Sequence, residues 1–326
     1  MRKQTQNKAV KTAKRVIVQG YHHRETYELN YAVQGFAQNK YFTSDRTKKL
    51  DEHFQLEDLT PLKGYGLEIE VECSRINNAE ALAFTLENVA FQYVAKDLFK
   101  YQRDGSLNGL SSSVEAITQV MTKEFLRNQY PAFKYAYDVF KLYGIEATAN
   151  CGMHCNMSLG LFGTTAATIQ EALRKFVYFI NKNYQLSCSL VKRDPERAYY
   201  CSQMDDWDNK NYAKQFDFST TNEDESNHGI CFNYYHFNSG RVELRLVGGQ
   251  KTYAAFRNTL ETIFHLVEAV KRCSWSEIDD MKKVFKGCNK YVLSRLEDCM
   301  NNGTLSRDDY NSIASNIDTS IDFGNY

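Results

Sequence analysis

Carboxylates alternate with apolar residues in one short segment of the chain, Glu68-Ile69-Glu70-Val71-Glu72. In a β-strand, side chains two positions apart project from the same face about 7 Å from one another, so the three glutamates form one acidic row. Two carboxylates at that separation repel by about 2.4 kcal/mol at an effective dielectric constant near 20. If the face is enclosed, a cation has to lie against it. If it is open, the glutamates are the solvated side of an antiparallel strand, which is the commoner meaning of such alternation.

Two further segments place carboxylates on predicted strands. The turn Asp104-Gly105-Ser106 precedes a predicted strand over 113–119 that contains Glu115, and this carboxylate joins the acidic row if the two strands pair side by side. Glu243 and Arg245 share one face of a later predicted strand. Each segment has a plainer alternative. The first is then a surface turn with an ordinary strand residue, and the second is an exposed ion pair worth under about 1 kcal/mol.

The segment Cys151-Gly152-Met153-His154-Cys155-Asn156 places a histidine beside polar residues. On a strand, Gly152, His154 and Asn156 lie on one face and the other three residues lie on the opposite face. Cys151 and His154 then point to opposite sides, and no second cysteine pair follows at zinc-ligand spacing, so the pattern argues against a zinc site. His154 is either a satisfied structural residue or part of a functional face, and the residue pattern leaves both open.

A glycine pair follows one of these strands, in Gly248-Gly249-Gln250-Lys251-Thr252 before a predicted helix. Backbone N–H groups at such a position bind phosphate, so Gly248, Gly249 and Lys251 are predicted to assist nucleotide binding. The segment is not a Walker A loop, because the first glycine of that pattern is missing. Asp322-Phe323-Gly324 is not taken as a kinase motif, since no other kinase signature accompanies it.

Apolar periodicity predicts an α+β fold with a largely antiparallel sheet and a helical C-terminal tail. Strands are predicted over 67–73, 113–119, 151–159, 230–235 and 241–247. Helices are predicted from about 78 to 101, over 131–143, 165–184, 253–271 and 291–300, and after the capping box Ser274-Trp275-Ser276-Glu277. The polar segment 202–228 is predicted to be a lid, a binding loop or disordered.

The chain is long enough for one large domain or two. We predict a basic arm and lead-in over 1–60, a catalytic domain over 61–271 and a helical extension packed on it over 272–326. Forty basic and forty acidic residues cancel, so the overall charge gives no argument for a membrane or nucleic-acid partner. The exception is the first sixteen residues, which hold six Lys or Arg and no acid and either contact phosphate or are disordered.

The cysteines predict a reducing environment. There are nine of them, an odd number, and no signal peptide or long apolar span accompanies them. Disulfide-bonded secreted proteins usually carry paired cysteines behind such a signal. We therefore expect a cytoplasmic protein without a membrane anchor.

Taken in chain order, five short segments form a pattern: Gly66-Leu67-Glu68-Ile69-Glu70, Asp104-Gly105-Ser106, Glu115, Cys151-Gly152-Met153-His154 and Glu243-Leu244-Arg245. This pattern resembles the amidoligase family, a branch of the carboxylate-amine ligases with the glutamine synthetase catalytic fold. The resemblance covers about residues 64–270 and consists of short motifs rather than continuous similarity. No single motif is specific, but five in the right order are fairly so.

The resemblance implies a curved antiparallel sheet whose concave face binds ATP and Mg²⁺. The metal-binding carboxylates that it implies are Glu68, Glu70, Glu115 and Glu243, and we add His154 as a further metal ligand. It places His154 and Arg245 near the transferred phosphate and the substrate. We assign catalysis to Glu70, His154 and Arg245, and contacts with ATP to Arg245, the glycine pair and Lys251. One departure concerns Asn156, because the family usually has a second histidine there and an asparagine carries no proton at neutral pH.

The resemblance and the carboxylate pattern together predict an ATP-dependent ligase that acts through an acyl phosphate. Negative charge crowds such a reaction, so hard cations held by carboxylates, and an arginine, are the expected stabilisers. The expected partners are a small-molecule or peptide carboxylate and an amine. Two alternatives stay open. A metal-dependent phosphohydrolase or nuclease also gathers carboxylates around two ions, and a non-catalytic interaction module on the same scaffold would use them as a solvated groove.

Overall fold

The computed structural model describes residues 18–19, 63–95, 98–102, 107, 112–197, 200–221, 229–318 and 320. Within these residues the chain is α+β, as the sequence predicts. One sheet contains the strands β1 (Val18–Gln19), β2 (Tyr65–Cys73), β3 (Phe99–Gln102), β4 (Ser113–Thr118), β5 (Ile145–Glu146), β6 (Met153–Ser158), β7 (Phe232–Asn233) and β8 (Arg241–Leu244). Their spatial order is β1, β3, β4, β2, β6, β8, β7, with β5 beside β2. Only β1 and β3 pair in parallel among the described strands.

Helices connect and cover the strands. They are α1 (Ala79–Thr85), α2 (Lys123–Asn128), α3 (Tyr130–Tyr143), α4 (Ala166–Lys182), α5 (Tyr184–Leu190), α6 (Lys210–Gln215), α7 (Tyr253–Arg272), α8 (Met281–Val284), α9 (Lys290–Asn301) and α10 (Arg307–Ala314). Local capping sets several of their starts, because a polar side chain accepts a hydrogen bond from a free N–H of the first turn. Asn78 caps α1 in this way, Thr165 caps α4 and Thr252 caps α7.

The central strand β2 positions the acidic row. The apolar residues that alternate with its glutamates lie in the main hydrophobic core, so the glutamates project from the opposite face. β4 pairs with β2 on one side and β6 pairs with it on the other. Their register sets Glu70 opposite Glu115 and Glu68 opposite His154. Opposite residues of antiparallel strands project to the same side of a sheet, so the four side chains share one face.

The long helix predicted from about 78 to 101 is wrong in its second half. α1 continues only as a π-helical turn over Leu86–Ala90, and the chain then forms the strand β3 at Phe99–Gln102. The apolar spacing of this segment suits a helix, but β3 pairs with β4 along its length. Pairing with a distant strand therefore overrides the local periodicity.

Two other predictions need correction. The capping box at Ser274 starts no helix: Glu277 accepts hydrogen bonds from the N–H and the hydroxyl of Ser274, but only turns follow until α8 begins at Met281. The first part of the irregular segment is ordered, because α6 lies within it and Trp207 is buried. The other predicted elements are present with ends shifted by a few residues. Gly144 ends α3 in the left-handed conformation (φ 68°), which glycine adopts without strain.

The C-terminal helices pack on α7. Arg295 of α9 is buried and donates to the hydroxyl of Thr259 (2.8 Å) and to the carbonyl of Ala255 in α7. One hydrophobic core extends from the sheet to Ile313 in α10. Among the described residues, no helix is long and apolar enough to cross a membrane. The predicted arm over 1–60 lies outside the described residues, apart from β1.

Candidate functional site

Four strands bring the five predicted metal ligands onto one face of the sheet. Among the described residues, two sets of three ligand atoms lie within 4.8 Å of one another: Glu68, His154 and Glu243 form one set, and Glu70, Glu115 and His154 form the other. His154 belongs to both sets. These side chains come from β2, β4, β6 and β8, so only the folded sheet brings them together. We call the five residues the acidic face.

The imidazole ring of His154 lies between the carboxylates. Its Nδ1 is 3.2 Å from Oε2 of Glu68 and 3.4 Å from Oε1 of Glu243. Its Nε2 is 3.8 Å from Oε1 of Glu70. Each ring nitrogen therefore faces its own group of carboxylate oxygens, and a cation on either side of the ring would meet carboxylate ligands.

Two of these carboxylates accept hydrogen bonds from neighbouring polar side chains. Gln102 donates a hydrogen bond to Oε2 of Glu115. Asn156 donates to Oε1 of Glu68 over 2.8 Å, and its own carbonyl oxygen accepts from Arg241. Asn156 thus uses both its donor and its acceptor in this position. The residue at which the sequence departs from the amidoligase pattern therefore contacts both Glu68 and Arg241.

Arg245 joins the site through Glu243. Its NH1 lies 2.7 Å from Oε1 of Glu243, and the side-chain amide of Asn233 donates to the other oxygen over 3.3 Å. Arg245 is half-buried just beyond the end of β8. A guanidinium has five N–H donors in a planar fork, a geometry that matches the oxygens of carboxylates and phosphates.

Burial and neighbouring charges together set the pKa values of the acidic face. Burial lowers the pKa of His154, but its hydrogen bond to Glu68 and the charges of Glu70 and Glu243 raise it from 6.5 to about 9. Burial raises the pKa of Glu68, yet the hydrogen bond and the charge of His154 bring it well below its usual value. Burial and the charge of Glu68 raise the pKa of Glu115 well above its usual value. At neutral pH His154 is therefore protonated, and its charge adds to that of the Arg245 guanidinium beside these carboxylates.

Comparison of the chain with known protein families found no match, and comparison with curated proteins found none either. The chemistry of the site therefore rests on its own residues. Carboxylate oxygens are the ligands that Mg²⁺ and Mn²⁺ prefer, whereas imidazole favours Zn²⁺ and its neighbours. Four carboxylates with one histidine therefore fit a hard divalent cation better than zinc.

The backbone N–H groups of the glycine pair donate hydrogen bonds within the protein. The N–H of Gly248 donates to the carbonyl of Val191 over 3.1 Å, and that of Gly249 donates to the carbonyl of Cys151 over 2.9 Å. Both N–H groups are thus engaged within the protein rather than directed at a phosphate. Lys251 is exposed in the loop before α7, and the described contacts include none between Lys251 and the acidic face. The glycine pair instead allows close packing of chain segments.

Arg193 is a site residue that the sequence prediction missed. A Cβ added to Gly152 would lie 3.0 Å from NH2 of Arg193, 3.3 Å from Nε2 of His154 and 3.5 Å from Oε2 of Glu70. This second arginine therefore reaches the acidic face, and Gly152 leaves a space between the three side chains. Arg193 is held by the carbonyls of Leu246 and Val247. It lies in a loop after α5, where no periodicity marks it.

The remaining motif cannot be placed on the site. Asp104-Gly105-Ser106 lies outside the described residues, and so do 222–228 of the irregular segment. Leu107 is described and buried, in a small cluster with Ala147 and Cys151. The described part of the site is therefore built from β2, β4, β6 and β8 and from the loop that carries Arg193.

Proposed function

We propose that this protein is an ATP- and Mg²⁺-dependent ligase that joins a carboxylate to an amine. The observation that carries the proposal is the convergence of four glutamates and one histidine from four strands on one face of the sheet. The order of these residues along the chain resembles the amidoligase motifs, which supports the same reaction. A glutamine synthetase type of sheet is part of this proposal.

The residues have distinct roles in the proposed reaction. Bound ATP and Mg²⁺ would supply the phosphoryl group and the positive charge that turn a carboxylate into an acylating agent. Glu68, Glu70, Glu115 and Glu243 would hold the divalent cations. Arg245 and Arg193 would bind phosphoryl or carboxylate oxygens, because a guanidinium matches their planar, paired geometry.

His154 would contribute in one of two protonation states. With its proton it donates a hydrogen bond to a phosphoryl oxygen; without it, it offers a nitrogen to a cation. The raised pKa of about 9 favours the protonated form when the protein is alone. A bound divalent cation would add positive charge beside the ring and favour loss of that proton.

A turnover assay tests the proposal. The protein is incubated with ATP, Mg²⁺ and a pool of amino acids and polyamines, and ADP and amide products are measured. We expect ADP and amide in equal amounts, and Glu70→Gln should abolish both. Glu268→Gln is the matched control, since Glu268 lies in an exposed pair with Lys271 and its variant should keep full turnover.

Other results would decide against the ligase. Cleavage of a phosphoester without stoichiometric amide would favour a phosphohydrolase. Absence of Mg²⁺-dependent ATP binding in calorimetry would favour an interaction module. Unchanged turnover in Glu70→Gln would show that the acidic face takes no part in the reaction.

A further inference from the structure

Glu72, the third glutamate of the acidic row, belongs to neither ligand set. Its side chain is buried, with 2% of its surface exposed, and its Oε1 has no hydrogen-bond partner among the described residues. It follows Glu70 by two positions on β2, so both side chains project from the same face about 7 Å apart. Ser113 and Glu146 are its register partners on the neighbouring strands, and neither donates to that oxygen.

A small apolar cluster lies near Glu72. Leu107, Ala147 and Cys151 form this buried cluster, which is separate from the main core. Ala147 directly follows Glu146, the register partner of Glu72 on β5. Cys151 directly precedes Gly152, whose carbonyl accepts a hydrogen bond from the N–H of Glu70. The cluster is therefore next to the part of β2 that carries Glu72.

An unpartnered carboxylate oxygen in a buried position destabilises a fold, and such groups in native proteins call for an explanation. A cationic ligand is the natural partner. A divalent metal ion is held by several ligands at once, but Glu72 belongs to neither of the ligand sets found among the described residues. An ammonium group has three N–H donors and requires no such cage. An alkyl chain behind it would meet the apolar cluster.

We propose that Glu72 binds the ammonium group of the amine substrate, with the amine's alkyl chain against Leu107, Ala147 and Cys151. The inference rests on the proposed ligase function, because a ligase has to hold an amine within reach of the activated carboxylate. Glu72 lies two positions along β2 from Glu70, one of the proposed metal ligands, so an amine bound there is near the proposed reaction site. The proposal limits the amine substrate to a primary alkylamine that is protonated when it binds.

Binding of n-butylammonium chloride to the protein tests this subsite without any turnover. Saturation-transfer NMR at constant ionic strength gives its dissociation constant, and n-butanol, a neutral molecule of similar shape, serves as the comparison ligand. We expect n-butylammonium to bind and n-butanol to bind at least ten-fold more weakly. Glu72→Gln should weaken the binding of n-butylammonium ten-fold or more, because a charge-assisted hydrogen bond is lost.

Glu146→Gln is the matched control. Glu146 is the exposed register partner of Glu72 on β5, so its variant removes the same charge from the same neighbourhood and should bind n-butylammonium as the wild type does. A calorimetric titration with Mn²⁺ should give the same affinity for Glu72→Gln and the wild type. A thermal unfolding midpoint at or above that of the wild type should confirm that Glu72→Gln is folded, and Glu72→Met provides a second variant.

Several results would overturn the subsite. These are no binding of n-butylammonium to the wild type, equal binding to Glu72→Gln, or an equal loss in Glu146→Gln. Loss of Mn²⁺ affinity in Glu72→Gln would make Glu72 a metal ligand instead. Failure of the ligase function is a separate outcome: n-butylammonium binding through Glu72 without ADP formation would contradict the ligase and retain the cation subsite.

Discussion

The protonated imidazole of His154 places a positive charge among the carboxylates of the acidic face. The pKa of His154 is raised from 6.5 to about 9 in the fold. A raised pKa means that the folded state binds the proton more tightly than the unfolded state does. The resulting stabilisation is complete below about pH 6.5 and is lost as the pH rises through about 9. The folded protein should therefore be less stable in mildly alkaline buffer when no metal is added.

This predicts a pH-dependent stability that depends on one residue. The free energy of unfolding in urea, measured without divalent cations, should fall between pH 6.5 and pH 9.5 in the wild type. His154→Gln keeps a hydrogen-bonding group but cannot titrate, so its unfolding free energy should fall distinctly less over the same range. Parallel pH profiles for the two proteins would show that His154 is not the titrating group.

Gly152 provides a second prediction at the scale of single residues. An added methyl group at this position would meet mainly the ends of the Arg193, His154 and Glu70 side chains, which can shift, rather than backbone. Gly152→Ala should therefore fold with a thermal midpoint close to that of the wild type. Its affinity for Mn²⁺ in calorimetry should nevertheless fall by about ten-fold, because small displacements of ligating groups are costly in a site. Wild-type affinity would mean that this space is not part of the proposed metal site.

Local residue patterns predicted part of the acidic face. The period of two places Glu68 and Glu70 on one side of a strand, whereas their convergence with Glu115, His154 and Glu243 followed from the resemblance to the amidoligase motifs. The sequence did not predict Arg193 as a site residue because it lies in a loop, where its side-chain direction depends on the carbonyls of distant residues. No periodicity of the local sequence indicates that direction.

At the scale of elements, the errors share one physical cause. The segment that ends in β3 has helical spacing, yet it pairs with β4 because the sheet there gains a full antiparallel ladder. Ser274 and Glu277 form the hydrogen bonds of a capping box, yet no helix continues from them. Strand pairing and helix continuation depend on distant partners, whereas caps and alternation are local. The local signals were therefore predictable and the pairings were not.

The packing of Gly248 against the loop after α5 gives a prediction at this scale. A Cβ on Gly248 would lie 2.1 Å from the carbonyl oxygen and 2.7 Å from the carbonyl carbon of Lys192. These are backbone atoms and cannot rotate away. Gly248→Ala should therefore lower the free energy of unfolding by about 2–3 kcal/mol, as overpacked interiors do. Chemical denaturation measures it.

Gly66→Ala is the comparison for this variant. The Cβ added there would lie 3.6 Å from Cβ of Asn156, which is an ordinary contact. Its free energy of unfolding should stay within about 0.5 kcal/mol of the wild type. If Gly248→Ala were equally mild, the close approach of the two chain segments would not constrain the fold.

At the scale of the whole molecule, a buried carboxylate joins the C-terminal helices to the rest of the fold. Glu261 of α7 is fully enclosed. It accepts hydrogen bonds from Arg127 over 3.0 and 2.7 Å, and from the hydroxyl of Tyr130 over 2.8 Å. The side-chain amide of Asn289, just before α9, donates to it over 2.9 Å. Three segments that are far apart in the chain, around residues 127–130, 261 and 289, therefore meet at one side chain.

Because these segments share a single core, we expect the described part of the chain to unfold in one cooperative transition. Glu261→Gln replaces an oxygen that accepts with an NH₂ group that faces donors, and it leaves Arg127 without its ion-pair partner. Breaking a buried pair in this way costs about 3 kcal/mol or more, so thermal and urea transitions should shift together and remain single. Glu268→Gln, which breaks the exposed pair with Lys271, should change stability by under about 0.5 kcal/mol. If Glu261→Gln instead splits the transition in two, the C-terminal helices unfold on their own and the shared core does not couple them to the sheet.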